Sequence, residues 1–411
     1  MKTTHKLLAI LFTVSAAAHG QVVPAATGPR GLPVGGNLDY TFRYSQTAEL
    51  SGTLGNQQRT TASGNVDYTN TSTRLPFNLE YGGGYIWTIA GPSYATGLFQ
   101  NLLLSQGIVW RNWNVMASDN ASYRPAAPTT GFSGIPGTGE PVGGSGPTPP
   151  SSQSILTLNT HVVNNLANGE VEDRLNYATT LSAGGGSDIL RYPDGNGLDT
   201  DTLMANAALT WHQNARNSFS GTYGFSEYSY PGYSVTFMSN TVLFGYQRHW
   251  NRRLSTSAGV GPEWIGSADT SVVPNSTRIS ANAAIDYTLR FGTAGLSYNH
   301  GTNGGAGYLL GAESDSVDAN FSRELRTTVT LGITGAYRRT AGLNNNGVTN
   351  SMIWGAQATR RLGRYLTAFA NYTAIDQSTS SPLPTNALTH LMQVIGFGVG
   401  YSPRGTRLVR P

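Results

Sequence analysis

The chain has 411 residues, and 26 Lys and Arg against 22 Asp and Glu give it a formal net charge of +4. Only 12% of its residues are charged and 38% are apolar, with 51 glycines, 21 tyrosines and no cysteine. The missing cysteine excludes a disulfide framework and thiolate chemistry. The sparse charge argues against an ordinary soluble domain, in which about 25% of residues are charged.

The first segment is an export signal by its pattern. Lys2 and Lys6 form a basic start, Leu7 to Ala18 is an apolar run, and small residues follow through Gly20. This order marks residues 1–20 as a secretory signal peptide, cleaved after Ala18 or Gly20. Lys2 and Lys6 are the only lysines, so beyond the signal 24 arginines meet 22 acidic residues. The remainder is close to neutral, and the basic balance is no sign of nucleic-acid binding, which needs a clustered basic face.

Residues 21–36 are rich in Pro and Gly and form a short periplasmic lead-in. From there apolar and polar residues alternate in stretches of ten or more. Ile279 to Arg290 shows the pattern most cleanly: Ile279, Ala281, Ala283, Ile285, Tyr287 and Leu289 on one face, and Ser280, Asn282, Asp286, Thr288 and Arg290 on the other. Period two is the signature of a strand with one apolar and one wet face. The spacing predicts strands over 37–51, 59–69, 74–89, 98–109, 113–125, 153–167, 174–189, 200–213 and 217–229. It continues with 234–249, 253–266, 277–290, 293–302, 308–322, 327–340, 350–361, 365–376 and 388–402. No stretch reaches the roughly 18 apolar residues of a spanning helix.

The connectors fall into two alternating classes. Asn214 to Arg216, Asn251 to Arg253, Ser322 to Arg326 and Arg361 to Arg364 are tight, whereas 126–152, 190–199, 267–276, 341–349 and 377–387 are longer. A sandwich has no reason to sort its loops in this way. Short periplasmic turns and long external loops are the asymmetry of an outer-membrane barrel. The expected fold is therefore all-β, a single transmembrane antiparallel up-and-down barrel of about 18 strands (16–20 allowing for one hairpin), covering 37–402, with 403–411 as a tail.

Charge and aromatics follow the same division. Arginines gather at the tight turns, among them Arg74, Arg111, Arg216, Arg252, Arg290, Arg323 and Arg364, where guanidinium groups can hydrogen-bond headgroup phosphates. Asp188, Asp194, Asp199, Asp201, Asp269, Glu313, Asp315 and Asp376 lean to the other rim. Trp87, Trp110, Trp113, Trp211, Trp250, Trp264 and Trp354 are read toward strand ends, as in interfacial girdles.

Candidate functional residues follow from the alternation. Asp39, Arg43, Glu80, Asp286, Arg290 and Arg338 fall on the polar face as lumen-lining candidates. Barrels of 16–18 strands leave an aqueous channel that side chains do not fill. The Pro/Gly-rich segment 123–152 can constrict such a channel by folding inward, or stand outside as a flap. Asp194, Asn196, Asp199 and Asp201 form an oxygen-rich turn suited to calcium, although Leu198 breaks the ligand spacing; a solvated hairpin tip is the plainer reading, so no metal or cofactor is expected. His161, His212, His249, His300 and His390 lie on separate segments, and spacing pairs none of them with an acid. No enzymatic activity is expected.

The last strand, Ile395-Gly396-Phe397-Gly398-Val399-Gly400-Tyr401, resembles the C-terminal strand that the barrel-assembly machinery recognises, with ten residues following the aromatic. The whole pattern resembles bacterial outer-membrane porins. Segments 127–134 and 246–255 resemble barrels associated with polysaccharide export. These resemblances imply a bacterial outer-membrane location, contacts with outer-membrane lipids and the assembly machinery, and passive diffusion of small hydrophilic solutes or ions. The alternative is a non-conducting barrel serving polysaccharide secretion or adhesion through its loops.

Overall fold

The computed structural model describes residues 35–51, 56–70, 72, 74–91, 96–125, 161–195, 197–305, 308–326, 328–344, 347–380, 391–403 and 406–409. The signal segment, most of the Pro/Gly-rich 123–152, Asn196 and His390 lie outside them. The first strands are β1 Gly35–Ser51, β2 Gln57–Asn70, β3 Phe77–Ala90, β4 Gly97–Val109, β5 Trp113–Pro125 and β6 His161–Arg174. They are followed by β7 Thr179–Arg191, β8 Thr200–His212, β9 Asn217–Tyr230, β10 Val235–His249, β11 Leu254–Ser267 and β12 Ser276–Leu289. The last are β13 Gly292–Asn303, β14 Ala312–Arg326, β15 Val329–Gly342, β16 Val348–Arg361, β17 Leu366–Thr379, β18 Met392–Tyr401 and the short β19 Thr406–Val409.

Each strand pairs antiparallel with the next, and β18 returns to β1 through Phe42↔Tyr401 to Ser51↔Met392. The sheet is thus a closed cylinder of eighteen strands. Closure satisfies every interior ladder and removes the open edge that a sheet otherwise presents. β19 extends the seam by pairing Thr406–Val409 with Leu38–Gly35 of β1. The stretch read as a tail therefore joins the sheet, and β1 begins inside the stretch read as a lead-in.

The two faces are distinguished by burial. On β10, Met238, Phe244 and Tyr246 are 45, 67 and 37% exposed, while the alternate residues Val235, Phe237 and Ser239 are buried. Loops pack over the second set, so it is the inner face. Phe42, Leu203, Ile279, Ile333 and Phe397 continue the exposed apolar set around the circumference. Soluble proteins rarely expose apolar patches beyond a few hundred Å²; a belt around a whole cylinder fits hydrocarbon.

Both chain ends of the barrel and the turns after even-numbered strands share one rim, as with 213–216, 250–253, 290–291, 327–328 and 362–365. Among the described residues the other rim carries 192–195 with 197–199, 268–275, 304–305 with 308–311, and the tight 231–234. The tight turns predicted at Asn214–Arg216, Asn251–Arg253 and Arg361–Arg364 fall on the first rim and the longer connectors at 190–199 and 267–276 on the second, whereas Ser322–Arg326 is strand and 126–152 and most of 377–387 lie outside the described residues. Three strands differ most from expectation, among them β7, which starts at Thr179 rather than 174 because β6 still occupies 168–174. β6 lies at 161–174 rather than 153–167, because Glu170 and Glu172 alternate with Val171 in a strand whose polarity reads as a turn. β14 starts at Ala312 rather than 308, since Tyr308 to Leu310 pack as a loop, and it runs through 322–326 with a register shift between Glu324 and Arg326. Trp354, read toward a strand end, sits mid-strand opposite Gly335 and Ala374.

Candidate functional site: the barrel interior

The long-loop half of the interior holds an apolar cluster. Tyr230, Val235, Phe237, Ile265, Val273 and Leu343 are buried together, with Leu198, Val272 and Leu310 packed on them. These residues come from β9, β10, β11 and four different loops, so loops converge on the inner wall rather than standing away from it. Loop 304–311 reaches furthest. The Tyr230 hydroxyl donates to the Gly304 carbonyl at 3.0 Å, and Tyr308 meets Tyr192 edge-on at 5.8 Å in a second cluster with Val162 and Leu190. A loop that leaves β13 and re-enters β14 thereby touches β9 and the β7–β8 connection, crossing the interior. Burial pushes the Tyr192 hydroxyl above its ordinary range, so it stays protonated and uncharged there.

The local sequence explains the crossing. Gly304, Gly305 and Gly311 bracket Tyr308-Leu309-Leu310, and Gly311 has φ +81°. A Cβ there would stand 2.8 Å from both Leu343 Cδ1 and Phe237 Cε1. Only glycine suits that backbone and that close approach. The infolding candidate from sequence, 123–152, falls on residues that are described only to Pro125; the inward loop among the described residues is 304–311. Its signal was an apolar triplet between glycines, which alternation absorbs into a strand.

The same half neutralises its charges in pairs. Arg59 Nη2 lies 2.6 Å from Glu49 Oε2 with both side chains nearly sealed from solvent, and Gln57 Oε1 accepts two further Arg59 hydrogen bonds. Arg278 is ion-paired with Glu313, and Arg338 lies 3.5 Å from Asp318. Ser239 donates to the buried Glu263 at 2.5 Å.

The tight-turn half differs. Asp39 stands directly opposite Asp67, and Asp67 directly opposite Glu80, so three carboxylates run side by side across β1, β2 and β3. Asp39 and Glu80 thus share one row with an acid that the sequence reading did not single out. Arg43 lies on the same inner face, opposite Ser63. Asp286 faces inward from β12, and Arg338 from β15, where it meets Asp318. Arg290 does not join them: it occupies the two-residue turn before β13, with its guanidinium 5.0 Å over the Phe291 ring. The acids expected at the other rim, Asp188, Asp194, Asp199, Asp201, Asp269, Glu313, Asp315 and Asp376, do lie toward it, whereas Asp39, Asp67, Glu80, Glu170, Glu172 and Asp286 lie toward the tight turns.

The proposed ion-binding turn is committed elsewhere. Asp194 accepts from the His161 backbone and ring at 2.7 and 2.8 Å, Asp199 accepts from the Tyr192 N–H, and Asp201 pairs with Arg191 at 2.6 Å. Among the described residues no group of three or more His, Asp or Glu is arranged to hold a metal. The structure pairs two histidines that spacing left single. His300 contacts Asp315 through Nδ1 at 2.8 Å and Glu313 through Nε2 at 3.2 Å. Both ring nitrogens of His300 thus face carboxylates across the β13–β14 hairpin.

No family model and no curated protein matches the chain. Solved structures similar to it include OccK2 (OpdF) of Pseudomonas aeruginosa in complex with glucuronate, at 11% identity and TM-score 0.49, covering 90% of this chain and 98% of that one. OccAB3 of Acinetobacter baumannii is similar at 8% identity and TM-score 0.48, covering 90% and 99%. OprD of Pseudomonas aeruginosa follows at 11% identity and TM-score 0.44, covering 90% and 95%. The resemblance of 127–134 and 246–255 to polysaccharide-export barrels gains no support from these comparisons.

Proposed function

We propose that the chain is a bacterial outer-membrane barrel that acts as a passive diffusion channel for small hydrophilic solutes or ions. One observation supports this above all: an eighteen-strand cylinder closed by β1–β18 pairing, apolar outside and lined inside by Ser, Thr, Asn and charged residues. Eighteen strands at ~4.8 Å spacing and ~40° tilt make a ring of about 110 Å, too wide for side chains alone to fill. Strands of about fourteen residues then stand ~35 Å tall, enough for an apolar band of ~25 Å. Loop 304–311 narrows the long-loop end. Asp39, Arg43, Glu80, Asp286 and Arg338 are the lining residues of this reading.

Outer-membrane lipids cover the belt, and the apolar last strand ending in Tyr401 is the feature that the assembly machinery would engage. Secretion or adhesion through external loops has no described element behind it. Purified, refolded protein in a planar bilayer is expected to give stepwise conductance; folded protein that inserts without conducting would overturn the proposal.

A further inference from the structure

We infer that the outward surface of the tight-turn rim, over β10 to β17, docks anionic phospholipid headgroups of the leaflet it faces; this rests on the outer-membrane reading above and not on conduction. The first ground is where guanidinium groups stand. Arg248 of β10, Arg323 of β14 and Arg360 of β16 lie close to the ends of their strands at this rim. They take outer-face positions, in step with Tyr246, Phe321 and Trp354. Arg252, Arg290 and Arg364 lie in the turns of the same sector and are exposed. The acids nearest to them, Asp286 and Glu324, take inward positions opposite Ser255 and Thr330. The β1 to β9 sector is mixed instead, because Asp173 takes an outward position opposite Trp113.

The second ground is a contrast in pairing between the two rims. At the long-loop rim Arg191 is paired with Asp201, Arg278 with Glu313 and Arg339 with Asp315. Among the described residues, none of the six tight-turn arginines forms an ion pair with Asp or Glu. A guanidinium group keeps its charge at any ordinary pH. Six charges are thus left for a partner outside the chain.

The third ground is their apolar setting, which selects a lipid over a dissolved anion. Trp250, Phe291, Leu325 and Leu362 lie among these arginines and are exposed. Arg248 stacks 3.9 Å over Trp250, Arg290 5.0 Å over Phe291 and Arg364 5.7 Å over Tyr365. Such stacking holds a guanidinium at the level of the rings, and rim aromatics sit at headgroup depth. Gly292 stands opposite Arg323 and follows the Arg290–Phe291 turn, so the β13 position beside Arg323 carries no side chain. A phosphate can approach there and accept two parallel hydrogen bonds from a guanidinium. Its acyl chains then continue along the apolar outer face.

Native mass spectrometry tests the proposal on folded barrel taken from micelles holding equal phosphatidylglycerol and phosphatidylcholine. The expected result is retention of phosphatidylglycerol over phosphatidylcholine by at least about fivefold, roughly the factor that one arginine near an anionic surface supplies. The preference should shrink as salt in the micelle solution rises from about 0.1 to about 1 M and the screening length falls from ~10 to ~3 Å. Arg290→Gln, Arg323→Gln and Arg360→Gln together should bring the ratio toward one. Arg248→Gln with Arg364→Gln should lower it as well, and carries the test should the triple variant fail to fold. Arg74→Gln with Arg111→Gln, in the other sector, should leave it at the parental value. Equal retention of the two lipids by the parent overturns the inference. A parental ratio in both β10 to β17 variants, or an equal loss in the Arg74 and Arg111 variant, overturns the placement in this sector. Displacement of phosphatidylglycerol by inorganic phosphate overturns the assignment to a lipid. Folded protein that enters no bilayer overturns the membrane reading beneath it.

Discussion

Phe237→Ala is the substitution by which the interior reading stands or falls. Phe237 has no solvent exposure, stacks 4.7 Å from Tyr228 and 6.3 Å from Tyr230, and touches the backbone site of Gly311. Its truncation removes the centre of the cluster that ties loop 304–311 to the wall. Large buried aromatics cost about 3–5 kcal/mol when cut to alanine, and each ring pair accounts for ~0.5–1.5 kcal/mol of that. The loss falls on loop packing rather than on the strand ladders, since β9, β10 and β11 keep all their backbone pairs. At 1.4 kcal/mol per factor of ten, about 4 kcal/mol shifts the equilibrium between docked and released loop by nearly three orders of magnitude. Single-channel recording is the assay: the variant should show larger mean conductance and excess open-channel noise from loop motion. Phe244→Ala, 67% exposed on the outer face of the same strand, should leave the noise at the parental level. Equal conductance and noise in Phe237→Ala and the parent would refute the claim that this cluster holds the loop across the interior.

Three further outcomes are expected. Arg59→Ala should lower the unfolding free energy in denaturant by about 3–5 kcal/mol by stranding the buried Glu49 carboxylate, and a paired Glu49→Leu, Arg59→Met replacement should recover most of it. Gly398→Val should cut the yield of folded, heat-modifiable barrel, because a Cβ at Gly398 would lie 2.5 Å from the Tyr44 carbonyl across the β1–β18 seam. The exposed Asp269 carboxyl in loop 268–275 is held below the ordinary carboxylate range, first by the Ser271 hydroxyl and then by the Ser271 N–H. Its folded value is lowered, so this contact acts at neutral pH and fades as pH falls through that value. Ser271→Ala should therefore raise the Asp269 titration midpoint read by NMR; an unchanged midpoint would contradict it.

The wall was legible in the sequence because a strand exposed to two solvents must alternate, and alternation survives without knowledge of partners. Ile279 to Leu289 show one face and Ser280 to Thr288 the other, and β12 realises both. Rim sorting was legible for the same reason, since a hairpin turn has a length that composition announces. What escaped was whatever depends on register. Asp39, Asp67 and Glu80 lie far enough apart in sequence that no periodicity joins them, yet pairing sets them in one row. His300 and Asp315 are separated by a full hairpin and meet only across it.

The interior loop escaped for a different physical reason. Tyr308, Leu309 and Leu310 carry the apolarity of a lipid-facing strand, and hydrophobicity alone does not state which apolar surface a residue meets. The glycines on either side were the distinguishing signal, because φ of +72° at Gly305 and +81° at Gly311 cannot belong to a continuous strand. Apolar residues in this barrel thus answer two demands, lipid outside and loop packing inside, and the position of the glycines tells the two apart.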